Sequence, residues 1–134
     1  MNKWYRDKVI HGNKGGKTIG YPTINLNPQT IPANLSQGVY SCVVKFAGKT
    51  YVGALYFGPR LVNNETVPVL EIYILDFSKE IYGEIIEFFI HEYIREVMKF
   101  ESFDQLKTQI KIDVEAVRQS IGDPSRFLGD GSED

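Results

Sequence analysis

The chain is poor in cysteine: Cys42 is the only one among 134 residues. One thiol can neither close an internal disulfide nor build a thiolate metal site, and a reducing cytoplasm fits such a composition. No apolar run approaches the ~20 residues that a membrane helix needs. The N-terminal stretch MNKWYRDKVIHG lacks the apolar centre of a secretory signal. Neither a membrane nor a secretory role is expected. Charge of one sign is missing too. Fifteen Lys and Arg stand against 17 Asp and Glu, for a formal net charge of −2. A nucleic-acid partner would favour a clearly basic face, so none is expected. His11 and His91 lie far apart, which suits surface or hydrogen-bonded groups better than ligands. There is no internal repeat and no sign of a second domain.

What is present suits one domain with a proper core. The length and the 43% hydrophobic content are enough to fold without disulfides. Residues 1–125 read as that domain, and 126–134 as a flexible acidic tail. A monomer is expected.

Alternation marks the strands. Trp4 to Ile10 reads as a first strand and Ile19 to Leu26 as a second. Gly38 to Phe46 alternates well, with Tyr40, Cys42, Val44 and Phe46 towards the core and Ser41 and Lys45 on the other side. Ala47-Gly48-Lys49 turns the chain, and Thr50 to Phe57 returns as a fourth strand. Val67 to Phe77 and Glu84 to Ile94 supply two more. Ser102 opens the one convincing helix, with Gln105 completing a capping box. Phe103, Leu106, Ile110, Val114, Val117 and Ile121 then form an apolar stripe, which Gly122 and Pro124 end. Six strands and a terminal helix predict an all-β fold with a helical cover. Short turns favour antiparallel pairing, and closure into a small barrel would remove exposed edges.

The stretch His11 to Leu26, HGNKGGKTIGYPTINL, carries the densest chemical signal. Gly12, Gly15, Gly16 and Gly20 let backbone N–H groups approach a polyanion, and Lys14 and Lys17 add positive charge. The same composition also suits a plain hairpin turn. The run is not the common phosphate loop, because no Gly-Lys-Ser/Thr follows at the required spacing. Pro22 biases Tyr21 towards an extended conformation. Thr23 and Asn25, spaced by two, would share one face of a strand. A hydroxyl and an amide oxygen are hard donors suited to a magnesium ion that keeps water and phosphate ligands. Glu71 is the other conspicuous residue, a carboxylate in a strand of mostly apolar neighbours. It is either solvent-facing or placed in a lined cleft; Val69, Tyr73 and Leu75 favour the cleft.

Gly20-Tyr21-Pro22-Thr23-Ile24-Asn25 resembles the Gly-aromatic-Pro-Thr-Ala-Asn signature of riboflavin kinases. Leu70-Glu71-Ile72-Tyr73-Ile74-Leu75-Asp76-Phe77, Ile81-Tyr82-Gly83, Ile94-Arg95 with Phe100, and Asp113-Val114-Glu115-Ala116-Val117-Arg118 resemble further motifs of that family. They occur in the family's order and span most of the chain.

The resemblance implies a six-stranded antiparallel Greek-key β-barrel with a C-terminal α-helix. It implies transfer of the γ-phosphate of ATP to the 5′-hydroxyl of riboflavin, giving FMN, with Mg²⁺. Glu71 would be the general base. Gly12, Lys14, Gly15, Gly16, Lys17, Gly20, Pro22, Thr23 and Asn25 would bind the nucleotide, and Thr23 and Asn25 the metal. Tyr73, Tyr82 and Arg95 would bind the flavin. The chain departs from the family at Gly15, where an arginine is usual, at Pro59-Arg60, and at Val97, where an acidic residue is usual. Many bacterial members add an adenylyltransferase with a His-x-Gly-His site; these residues contain none, so FMN is the expected product. The competing expectation is a non-catalytic flavin- or nucleotide-binding barrel module.

Overall fold

The computed structural model describes residues 3–12, 20–60 and 66–128. The alternating segments form β1 (Trp4–Lys8), β2 (Ile24–Leu26), β3 (Gly38–Phe46), β4 (Lys49–Pro59), β5 (Pro68–Ile74) and β6 (Ile85–Arg95). The apolar stripe near the C-terminus forms one helix, α1 (Phe103–Ile121). Short 3-10 turns lie at Pro28–Thr30 and Pro124–Phe127.

The sheet runs β1-β6-β3-β4-β5-β2, and every pairing is antiparallel. β3, β4 and β5 follow one another, and β6 returns beside β3, which is the Greek-key arrangement. Beyond β1 the N–H of Ile10 donates to the carbonyl of Asn25 at 2.8 Å. The sheet is therefore a curled half-barrel whose two edges are joined at this bridge. The β3–β4 turn puts Ala47 and Gly48 at φ 52° and 81°. Positive φ at both central residues matches the right-handed twist of the strands, and Gly48 meets it without strain.

Two apolar clusters lie on opposite sides of β3. Cys42, Val44, Leu55, Ile72 and Phe88 fill the barrel interior. Val43, Phe89, Val117, Ile121 and Phe127 pack between the barrel and α1. This second cluster changes the expected alternation. Ser41, expected on an outer face, is 0% exposed, because α1 covers it. Its hydroxyl meets that of Ser120 on the helix at 2.9 Å.

The helix is capped as its sequence indicates. Ser102 Oγ accepts the N–H of Gln105, and Gln105 Oε1 accepts the N–H of Glu101, one residue earlier than a standard capping box places it. Gly122, at φ 65°, ends it. Other boundaries move. Ile19 of the expected second strand lies outside the described residues; of the rest, the strand covers only Ile24–Leu26, and Gly20 at φ 88° turns the chain. The fifth stops at Ile74, because Leu75 and Asp76 turn, with Asp76 at φ 57°. The division after residue 125 falls inside the last 3-10 turn, whose Phe127 is only 7% exposed. Residues 129–134 of the expected tail lie outside the described residues.

One buried ion pair ties α1 to the sheet. Arg95 Nε and Nη2 donate to Asp113 Oδ1 and Oδ2 at 2.8 and 2.7 Å. Gln109 Nε2 adds a third hydrogen bond to Asp113, at 3.0 Å. Removing one partner leaves the other charged and poorly solvated. Asp113→Ala is expected to cost about 3 kcal/mol of folding stability, the lower end for a broken buried pair, since Arg95 keeps some solvent. Arg95→Met with Asp113→Leu should recover part of this. Urea unfolding measures both, and a loss for Asp113→Ala under about 1 kcal/mol, typical of an exposed pair, would show that solvent screens the contact.

Candidate active site

Two clefts meet at the free end of the sheet. The first, about 640 Å³, lies between Val9–Gly12, Gly20 to Asn25, and Ser78 to Tyr82. The second, about 550 Å³ and more apolar, lies between β4, β5 and the N-terminal half of α1. Thr23 and Tyr73 border both, so they form the wall between them.

Register builds that wall. Asn25 on β2 stands opposite Glu71 on β5, and Glu71 stands opposite Tyr56 on β4. Residues paired across antiparallel strands project to the same face, so the three belong to one rung. Thr23, just before β2, donates its hydroxyl proton to Glu71 Oε1 at 3.1 Å. Arg60 Nη2 lies 3.8 Å from the other carboxylate oxygen, Oε2. Burial pushes the Glu71 carboxyl above the usual range, while the Thr23 hydrogen bond and the Arg60 charge oppose the shift. Burial and the nearby Glu71 charge push the Tyr56 phenol up to about 12, so it stays protonated, and its hydroxyl donates to the carbonyl of Pro59.

The donors for a hard cation sit beside this carboxylate. Asn25 is buried on the floor of the first cleft, and a Cβ on Gly12 would collide with its amide. Gly12 thus permits a close approach of the N-terminal segment. Thr23 spends its proton on Glu71 and keeps its oxygen lone pairs for another partner. Among the described residues no three His, Cys, Asp or Glu side chains cluster as a metal site. The hydroxyl and amide oxygens fit an ion that brings phosphate and water ligands with it, as magnesium does.

Of the expected nucleotide-side residues, Gly12, Gly20, Pro22, Thr23 and Asn25 all border the first cleft. Lys14, Gly15, Gly16 and Lys17 lie outside the described residues. Glu71 and, of the expected flavin-side residues, Tyr73 and Arg95 border the second cleft. Tyr82, expected with them, lies instead in the first cleft, stacked on His11 with ring centroids 3.6 Å apart. The turn after β5 carries it there, away from the helix. His11, read from the sequence as a plain surface group, thereby becomes part of the first cleft. Arg60, Tyr56 and Asp113 were not singled out as site residues. Their placement depends on strand register and on where α1 docks, which no local pattern records. The basic side chain after Pro59 was the one signal for Arg60.

Comparison with known proteins agrees with this geometry. The riboflavin kinase family model matches residues 3–121. A bifunctional riboflavin kinase/FMN adenylyltransferase of Haemophilus influenzae is 40% identical over 121 residues, covering 88% of this chain and 39% of that protein. The chain thus spans well under half the length of that relative. A solved structure from Streptococcus pneumoniae, described as a macrolide-efflux protein, is 34% identical with a TM-score of 0.72, covering 86% of this chain and 38% of that one. The riboflavin kinase of Trypanosoma brucei shares the fold, at a TM-score of 0.62 and 22% identity, over 93% of this chain and 83% of that one. The matched model runs from β1 to the last residue of α1, so the motifs, the barrel and both clefts fall within it, and the chain belongs to the riboflavin kinase family.

Proposed function

We propose that this chain is an ATP:riboflavin 5′-phosphotransferase that forms FMN with the help of Mg²⁺. The observation that carries this reading is Glu71, a partly buried carboxylate beside the wall between two clefts, hydrogen-bonded to a residue that borders both. A pure binding module has no need of a basic carboxylate at that junction.

The residues divide the work as follows. The first cleft takes the nucleotide, with Gly12 and Gly20 allowing the backbone near the phosphates. Thr23 Oγ1 and Asn25 Oδ1 would hold Mg²⁺. Neutralisation of phosphate charge is the chemistry a divalent ion supplies there. The apolar second cleft takes the flavin ring system, between β4, β5 and α1. Glu71 accepts the proton of the 5′-hydroxyl. The new bond joins O5′ to the γ-phosphorus, the bond from that phosphorus to the β-phosphate oxygen breaks, and ADP leaves. Thr23 orients Glu71 throughout, and Tyr56 stays protonated beside it. The reading also has the protein acting as a cytoplasmic monomer on small molecules, without nucleic acid. The single, fully buried Cys42 thiol and the near-balanced charge support it.

Incubation with riboflavin, ATP and Mg²⁺ should yield FMN, read by chromatography. Absence of a phosphorylated flavin would end this assignment. Glu71→Gln should keep the fold and flavin binding but lower kcat by roughly 10²–10⁴-fold, the usual contribution of a general base. A kcat within about threefold of the parent, far below that range, would remove Glu71 from the chemistry.

Thr23→Ala and Asn25→Ala should each raise the Mg²⁺ concentration for half-maximal rate by roughly tenfold or more, a loss typical even of groups that only support a metal ligand. Thr23→Ser, which keeps the hydroxyl, should restore most of it. A magnesium titration identical to the parent's would exclude the residue as a ligand.

A further inference from the structure

Tyr56 borders the second cleft and takes no part in the phosphoryl transfer itself. The rung Asn25, Glu71, Tyr56 crosses β2, β5 and β4, so it leads from the first cleft to the second. Of the three, Asn25 borders only the first cleft and Tyr56 only the second. Cross-strand partners have Cβ atoms about 4.5–5.5 Å apart, which makes Tyr56 the neighbour of Glu71 on the flavin side.

The phenol is fixed by its own strand. Its proton goes to the carbonyl of Pro59, three residues on. To reach it the ring crosses Gly58, where a Cβ would stand 3.1 Å from the hydroxyl oxygen and 3.3 Å from Cζ. Burial and the Glu71 charge push the phenol up to about 12, so the proton stays in place. With that proton committed, the oxygen is left as an acceptor. The other polar groups of the cleft face elsewhere. Asp113 already receives Arg95 and Gln109. Burial raises the Tyr73 phenol too, but the charged groups that act on it are Asp76 and Arg118.

On the functional reading given above, on which this inference rests, the 5′-hydroxyl of riboflavin lies at Glu71 and the ring system in the apolar part of the cleft. The ribityl chain between them carries hydroxyls on its 2′, 3′ and 4′ carbons. Each leaves water as the flavin enters, and a hydroxyl buried without a partner is costly. The 4′-hydroxyl is vicinal to the reacting one. A chain that runs from Glu71 towards β4 and α1 brings it to Tyr56 first.

We propose that Tyr56 reads the polyol chain of the flavin: its phenolic oxygen accepts the hydrogen bond of the 4′-hydroxyl and so selects flavins with a free donor at that carbon. A chain without that donor leaves the oxygen shut from water and unpaired, which a site built around a substrate hydroxyl rejects strongly. The contact also steadies the last carbons of the chain, which helps aim the 5′-oxygen for transfer. Glu71 remains the base, and Tyr56 determines specificity.

The test measures dissociation constants of riboflavin, 4′-deoxyriboflavin and lumiflavin, which has no polyol, by quenching of flavin fluorescence. It compares the parent with Tyr56→Phe, and FMN formation by the parent is assayed in parallel. The parent should bind riboflavin about tenfold more tightly than 4′-deoxyriboflavin, the effect of stranding one buried acceptor. In Tyr56→Phe the two should bind within about threefold of each other, a difference too small for a buried hydrogen bond to a substrate. Lumiflavin should bind parent and variant alike. Equal weakening of lumiflavin and riboflavin in the variant would make Tyr56 a structural residue and overturn the proposal. A variant that keeps the full preference for riboflavin, or a parent that shows none, would overturn it too. In a parent that makes FMN, any of these results defeats only the role of Tyr56. A parent that neither binds flavin nor makes FMN defeats the functional reading as well.

Discussion

The pairing of β2 with β5 is the contact on which both clefts depend. It is only three residues long, Ile24 to Leu26 against Leu70 to Ile72. So short a strand has little stability of its own, and its surroundings hold it. Asp7 Oδ2 accepts the N–H of Asn27 at 2.9 Å and the hydroxyl of Thr30 at 2.8 Å. Ile10 bonds the carbonyl of Asn25, and Gly12 rests against its side chain. Clamped in this way, β2 keeps Asn25 level with Glu71 and sets Thr23 on the carboxylate. A shift of one residue would turn Asn25 to the opposite face of the sheet.

The helix serves two purposes along its length. Its C-terminal half is packed: Val117 and Ile121 are buried against Val43 and Phe89 on the outside of the barrel. Its N-terminal half stands further off, with Phe103 69% exposed, and there the second cleft opens between helix and sheet. Arg95 and Asp113 mark the transition. A bidentate ion pair fixes separation and orientation more closely than apolar contact does. It therefore sets the width of the cleft at the point where packing gives way to space.

Charge is distributed sparingly around the site. Glu71 is kept from water by strands whose other side chains are mostly apolar, which raises the cost of its ionised form. Thr23 and Arg60 offset that cost through different oxygens of the carboxylate. The one close hydrogen bond comes from a neutral hydroxyl, and the full positive charge stays at a distance. Such a carboxylate is held in place without being saturated, so it retains acceptor capacity for a substrate proton.

The sequence by itself determined the local elements. Alternation from Gly38 to Phe46, the Ala47-Gly48 turn, and the Ser102 and Gly122 caps each depend on neighbours a few residues away, and each formed as read. The same holds for the isolation of Glu71 among apolar residues and for the hard donors Thr23 and Asn25, which do border one cleft. Only the tertiary structure decided which faces are covered. Ser41 and Lys45 alternate alike, yet α1 docks over Ser41 and leaves Lys45 half-buried. It also decided that Tyr82 turns to the first cleft beside His11, and that Arg60 and Tyr56 reach Glu71. Periodicity records the direction of a side chain relative to its own strand. The partner it meets depends on register and closure between segments tens of residues apart, which leave no local trace.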